Sequence, residues 1–302
     1  MRKIIVIFRA CMLIIYALLL LVHFVLKDHF QFLQIIFYAF PLPNILFVGA
    51  CISFILLFIK PRSFFIYTFL LTVVITGIWL NTAYIFPKAI TIPENATSVI
   101  FWNTANRRNI HVEILSENIK TINPDIISLV EAENASEEDL IKLTIEFPDY
   151  EFQILEGDML IGVKGKIKNV IYTNQPYNYD INFVEAQLQN TTVWIAITDT
   201  FQSPTMDKRH TLGTVLQLVS EKNADLIVGD FNTPYESVHF NDYKTNYTSF
   251  HDYGQGFSAT WPFGIPLLEL DQIYVSKRFA PLLLQKKYYD VSDHAMLIGY
   301  FK

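Results

Sequence analysis

Cysteine is nearly absent from this 302-residue chain: there are two, Cys11 and Cys51, and both fall in long apolar runs. The C-terminal two thirds therefore has no disulfide, no thiolate metal site and no cysteine nucleophile. Acidic residues are almost missing from the first 87 positions, where Asp28 stands alone against six lysines and arginines (2, 3, 9, 27, 60 and 62). After position 87 it is a basic excess that is lacking. Of 23 Lys/Arg and 29 Asp/Glu in the chain, 17 and 28 lie there, a net charge of −11. A domain that grips nucleic acid usually carries a basic footprint, so nucleic acid is the less favoured partner, although a local basic cleft stays open. Internal repeats and low-complexity tracts are also absent.

Hydrophobic length dominates the front of the chain. Residues 10–26, 33–59 and 64–86 are apolar runs without a carboxylate, each near or above the ~20 residues that cross a bilayer core. They predict three membrane-spanning helices, the second kinked or begun late at Pro41, Pro43 and Asn44. A cleaved signal peptide fits less well, because no small-x-small site follows the first run and two further runs do. Arg2, Lys3 and Arg9 precede or open the first run, and Lys60 and Arg62 separate the second from the third. The positive-inside bias then puts the N-terminus in the cytoplasm and, after three crossings, the C-terminal domain outside, as a multi-pass protein of the cell membrane.

Residues 88–97 read as a linker, and 98–302 as one domain. Within it the runs at 98–102, 125–130, 159–163, 193–198, 225–228, 271–275 and 296–301 are strand-length and rich in Ile, Val, Phe or Tyr. Residues 110–122 and 208–222 read as helices, the second with apolar positions 212, 215, 216 and 219 at helical spacing. The expected class is mixed α/β with much of the sheet buried on both faces.

The strand-like runs border polar islands. Asn103 follows Phe101-Trp102, Glu131 follows Leu129-Val130, Asp199 follows Thr198, and Gly229-Asp230-Phe231-Asn232 follows Leu226-Ile227-Val228. Asp271 opens a run, and Ser292-Asp293-His294 precedes the last one. Loops at strand ends build sites. Taken singly each island has an ordinary role: Glu131 as a helix cap, Ser292-Asp293 as a turn, His294 as a surface imidazole.

Together and in this order the islands resemble the endonuclease/exonuclease/phosphatase superfamily of metal-dependent phosphodiesterases and phosphatases, over residues 98 to 302. Trp102-Asn103 matches the first-strand Asn, Pro124-Asp125 through Glu131 the Pro-Asp-apolar-Glu segment, Asp230 and Asn232 the Gly-Asp-Phe-Asn pair, Asp271 the late Asp, and Asp293-His294 the terminal Ser-Asp-His. The resemblance implies a DNase-I-like four-layer α/β sandwich, two packed sheets flanked by helices. It also implies a seat for Mg²⁺, with Mn²⁺ as the alternative, at Glu131, Asn103 and Asp293. In the implied chemistry Asp230 orients or deprotonates water, Asn232 polarises the phosphoryl oxygens, and His294, oriented by Asp271, stabilises charge in the transition state.

One position departs from the pattern. Where many relatives carry the His of Thr-His-x-x-x-Pro, this chain has Asp199, and an ionised carboxylate cannot donate a hydrogen bond to phosphate. Asp199 binds metal, or Arg209 or His210 on the next helix reaches in, or activity is altered. Gln272 stands where a His often follows the late Asp. The three-span layout is similar to bacterial membrane proteins associated with teicoplanin resistance, which implies an undecaprenyl-pyrophosphate-like carrier. The expected activity is membrane-anchored hydrolysis of a phosphorylated lipid or other surface phosphate, with no obligate protein partner. A membrane-tethered nuclease and an inactive binding module on the same fold are the alternatives.

Overall fold

The apolar front of the chain forms helices. In a computed structural model, describing residues 2–105, 110–189, 191–262, 264–265 and 267–302, the chain divides into two units, Met1–Ile85 and Phe86–Lys302. The first unit holds α1 (Arg2–Leu21), which runs on through a π-helical turn to Leu26, then α2 (Gln31–Ala39), α3 (Leu42–Leu57) and α4 (Ser63–Ala83). Two helices, Lys3–Leu26 and Ser63–Ala83, are long and apolar enough to cross a membrane, and α2 with α3, bent by 69°, makes a third if the pair is one span. The bend falls at Phe40-Pro41, where proline offers no N–H and disfavours helical geometry in the residue before it. Ile4, Phe32, Phe47 and Phe58 are each at least 70% exposed, an arrangement suited to lipid rather than water. Inside, a Cβ on Gly49 would lie 2.5 Å from the Tyr16 hydroxyl, so α1 and α3 approach closely, and Tyr16 shares a 3.0 Å hydrogen bond with Thr72 of α4.

The second unit has eleven strands of three residues or more among the described residues: β1 (Thr97–Asn103), β2 (Ile126–Val130), β3 (Tyr150–Leu155), β4 (Met159–Gln175), β5 (Tyr179–Leu188), β6 (Thr192–Thr200), β7 (Leu226–Asp230), β8 (Tyr247–Ser249), β9 (Asp271–Ser276), β10 (Pro281–Lys287) and β11 (Met296–Phe301). They run β10-β11-β1-β2-β4-β5-β6-β7-β9-β8, with β3 beside β4. β4 is common to two sheets: Met159–Lys164 pairs with β2 and β3, and Gly165–Gln175 pairs with β5. Gly165 makes the transfer at φ 151°, where a Cβ would lie 2.2 Å from the Gln187 carbonyl oxygen.

Val99, Phe101 and Ile126 of one sheet meet Val184, Ile195, Val228 and Ile273 of the other in one core. Helices α5 (Val112–Ile122) and α6 (Glu137–Glu146) cover the outer face of the first sheet through Leu115 and Leu143. Helices α7 (Lys208–Glu221) and α8 (Asn241–Asn246) cover the second through Leu212 and Tyr243. This is the mixed α/β class with two packed sheets. Strands β3, β5, β8 and β10, the long second half of β4, and helices α6 and α8 were not anticipated from apolar runs. β5 shows why: Asp180, Asn182 and Glu185 interrupt its apolar pattern, yet it is a central strand.

Register sets the site. The parallel pairs β1/β2 and β6/β7 bring Asn103 beside Val130 and Asp199 beside Asp230, while antiparallel β9 sets Asp271 opposite Asp230. Gly229 lets β7 lie this close, since a Cβ there would sit 2.3 Å from the Thr198 carbonyl oxygen. Gly229→Ala is expected to cost about 1–3 kcal/mol, seen as a lower midpoint in thermal denaturation.

Candidate active site

Seven of the strand-end residues converge in one network. Asp230 is fully buried; its Oδ2 accepts from Asn103 Nδ2 at 2.8 Å, and its Oδ1 accepts from the Asn232 backbone N–H at 2.8 Å. Asn103 Nδ2 also donates to Glu131 Oε1 at 3.0 Å, while its Oδ1 accepts from the Ala105 N–H at 2.8 Å. Asn232 Nδ2 donates to the Thr200 carbonyl at 2.7 Å and lies 3.5 Å from Asp199 Oδ1. His294 places Nδ1 2.8 Å from Asp271 Oδ2 and Nε2 3.8 Å from Asp230 Oδ2. Glu131 and Asn232 both take positive φ, 52° and 44°, a strained geometry for side chains that functional sites often retain.

Burial and like charges shape the electrostatics. Burial, then the Asp271 charge, pushes the Asp230 carboxyl up to about 7, tempered by His294 and the Asn232 N–H. Asp199 is raised well above the carboxylate range by burial, then by Asp230 and Glu131. Burial works against the His294 imidazolium, but Asp271 and Asp230 outweigh it and hold the ring at about 10. Glu131, Asp199 and Asp230 can present carboxylate oxygens within 4.8 Å of one another, and Asp230, Asp271 and His294 form a second such group. Hard oxygen donors in mutual repulsion suit a divalent cation such as Mg²⁺. A cavity of about 620 Å³ opens beside them, walled by Glu131, Asp158, Tyr177, Asp180, Asp199 and Phe201 among others.

Of the three ligands expected for a metal, Glu131 belongs to a converging carboxylate group. Asn103 turns its NH₂ toward Glu131 and Asp230, so in this geometry it orients carboxylates. Asp293 sits at the rim, its Oδ2 accepting from Trp261 Nε1 at 2.9 Å, and joins neither group. Asp199, expected among the catalytic residues, lies in the first group. Arg209 and His210 are exposed on α7. The residue of that helix that goes inward is Lys208, 1% exposed, its ammonium lowered to about 8 by burial against the opposing pull of Asp230 and Asp199. A Lys-Arg-His run reads as a solvated face, and only the helix phase distinguishes its members. Ser292, read from the sequence only as a turn residue of its island, has a linking role: its hydroxyl donates to the Asn103 carbonyl at 2.8 Å and accepts from the His294 N–H at 3.0 Å, tying both ends of the domain together. Gln272 is structural, donating to the Glu269 carbonyl and accepting from Tyr274.

Beside the site, His251 stacks on Tyr235 at 4.0 Å and pairs with Glu269 at 2.7 Å. Burial lowers the affinity of this imidazole for a proton, but Glu269 more than reverses it, so its pKa is raised. A raised folded pKa stabilises below the unfolded value, ~6.5, and that gain is lost as pH rises through the folded value. Wild-type protein is expected to lose stability across that window in denaturant titrations, and His251→Gln to flatten the dependence.

A sequence model described as "Endonuclease/Exonuclease/phosphatase family" matches residues 100–294. None of the curated proteins compared matches the chain. Among solved structures, an endonuclease/exonuclease/phosphatase family protein from Bacteroides thetaiotaomicron is similar at 11% identity and TM-score 0.55, covering 71% of this chain and 98% of its own. A mannosyl-6-phosphatase from the same organism is similar at 11% identity and TM-score 0.55, with 68% and 99% covered. D. rerio TDP2 complexed with single strand DNA product is similar at 13% identity and TM-score 0.52, with 69% and 100% covered. At these identities the likeness is one of fold.

Proposed function

This chain belongs to the endonuclease/exonuclease/phosphatase family, and on that premise we propose that it is a membrane-anchored, metal-dependent phosphoesterase that hydrolyses a phosphorylated lipid or another surface phosphate ester or anhydride. The observation that carries this reading is the meeting of Glu131, Asp199 and Asp230 with the Asp230–His294–Asp271 chain at one sheet end. Mg²⁺ held by Glu131 with Asp199 and Asp230 would supply charge neutralisation at the phosphoryl oxygens. Asp230, fixed by Asn103 and the Asn232 N–H, orients the attacking water and takes its proton. His294, held by Asp271, donates toward the charge developing on phosphorus-bound oxygen, and Asn232 adds an amide donor.

Lipid substrates are favoured because the domain is strongly acidic and follows helices of membrane-crossing length. Arg9 Nη1 reaches the Lys60 carbonyl at 3.5 Å and its guanidinium lies 4.0 Å from the Phe64 ring. The start of α1 and the α3–α4 connection therefore share one end of the helical unit, which supports a full crossing by α2–α3. With that basic end in the cytoplasm, three crossings put the catalytic domain outside. A C-terminal tag is then expected to be cleaved by protease added to intact cells.

The activity test uses the full chain in detergent with Mg²⁺ and a panel of lipid pyrophosphates, phosphodiesters and single-stranded DNA. Phosphate release from the lipids, abolished by EDTA and restored by Mg²⁺, is expected. Preferential DNA cleavage would favour a tethered nuclease, and release from no substrate a binding module.

A further inference from the structure

Four aspartates on neighbouring strands stand opposite one another: Asp180 faces Asp199, Asp199 faces Asp230, and Asp230 faces Asp271. Neighbouring strands lie roughly 4.8 Å apart, and like charges directly opposite destabilise a sheet. Each end of the row has its own compensation. His294 serves Asp271 and Asp230, and the Tyr172 hydroxyl donates to Asp180. The middle, Asp199 beside Asp230, is approached by Asn232 Nδ2 at 3.5 Å, a neutral donor.

A buried cation is held at the carbonyl two residues beyond Asp199. Lys208, the first residue of α7, is the least exposed lysine or arginine among the described residues. Its Nζ donates to the carbonyl of Phe201, two residues beyond Asp199, and its electrostatic partners are Asp230 and Asp199. A buried ammonium is strongly unfavourable unless paired, and the exposed neighbours Arg209 and His210 show that the helix surface offered water as an alternative.

We propose that Lys208 is a positioning residue of the site: its ammonium offsets the charges of Asp199 and Asp230, and its bond to Phe201 fixes the segment following Asp199. This rests on the phosphoesterase reading. The competing account is that Lys208 merely fills space at the helix start.

The test uses the full chain in detergent, bis(p-nitrophenyl) phosphate with Mg²⁺ as the activity probe, and Mn²⁺ binding by calorimetry as a readout independent of turnover. Lys208→Met is expected to lower kcat about 10–100-fold with KM within about threefold, and Lys208→Arg to recover most of it. In an Asp199→Asn background the same change is expected to matter less than about threefold, because one of the charges it offsets is gone. Loss of the ammonium also leaves the carboxylates more attractive to a cation, so Lys208→Met is expected to bind Mn²⁺ several-fold tighter, about 3–10-fold. Simple loosening of the fold would weaken Mn²⁺ binding instead. Thr211→Val, which removes a buried hydrogen bond to Asn178 from the same helical turn, serves as that control. Thermal melts check folding, and Lys208→Gln replaces the Met variant should it not fold. Unchanged or weaker Mn²⁺ binding, or kcat losses that multiply fully in the double variant, overturns the proposal. A wild-type chain inactive on every phosphate tested overturns the phosphoesterase reading, while the Mn²⁺ measurement still decides the role of Lys208.

Discussion

Asp230→Asn is expected to lower turnover by about 10³-fold or more while leaving the chain folded. Asp230 is the hinge of the site, shared by both candidate cation groups, hydrogen-bonded to Asn103 and the Asn232 N–H, and faced by His294. The amide is isosteric but can neither take a proton from water nor carry charge toward a metal. Its effect on stability runs the other way. Burial and Asp271 raise the Asp230 carboxyl to about 7, above the unfolded value of ~3.9. In metal-free protein its ionisation therefore opposes folding, with the penalty absent below ~3.9 and complete above about 7. Metal-free Asp230→Asn is expected to melt no lower than wild type at pH 8 and to lose less stability between pH 4 and pH 8. Activity within tenfold of wild type on the Mg²⁺ substrate panel would remove Asp230 from the chemistry.

Asp271→Asn is the second large effect, about 10²–10⁴-fold in kcat with KM little changed. The Asp271 carboxylate is 1% exposed and accepts from His294 Nδ1 at 2.8 Å. It holds the imidazole in one orientation and supports its positive charge, although buried surroundings disfavour that charge. An asparagine at this site can turn its NH₂ to Nδ1 and force the opposite tautomer, in which the neutral ring carries its proton on Nε2 and the imidazolium loses the carboxylate that supported its charge. Because the two residues act as a unit, Asp271→Asn with His294→Ala is expected to be no slower than His294→Ala alone. Steady-state kinetics of the two single variants and the double variant would show this, and full multiplication of the losses would mean the residues act separately.

The apolar runs between 98 and 301 marked strands well where the strand is central and buried on both faces, as at Leu226–Asp230. They were poor guides where a strand serves two sheets or pairs with one that does: the second half of β4 carries Lys166 and Lys168, and β5 carries Asp180 and Asn182. Such positions are strands because β4 and β5 pair along their length and β6 pairs with the other side of β5, a tertiary circumstance without a local signature. Asn103, Glu131, Asp230, Asn232, Asp271 and His294 were all legible as strand-end polar residues. The manner of their meeting was not. Asn103 points its amide donors at two carboxylates, and Asp293 stays at the rim with Trp261.

By itself the sequence determined that an apolar helical front precedes an acidic mixed α/β domain, because hydrophobic length and alternation are local properties of the chain. It also named the residues able to do phosphate chemistry, because strand ends break into polar loops at recognisable types. Only the tertiary structure decided that Asp180, Asp199, Asp230 and Asp271 form one row and that Lys208, rather than Arg209 or His210, is buried, its ammonium on the Phe201 carbonyl. Register between distant strands and the phase of a packed helix are fixed by burial across the whole core, and a single segment does not contain that information.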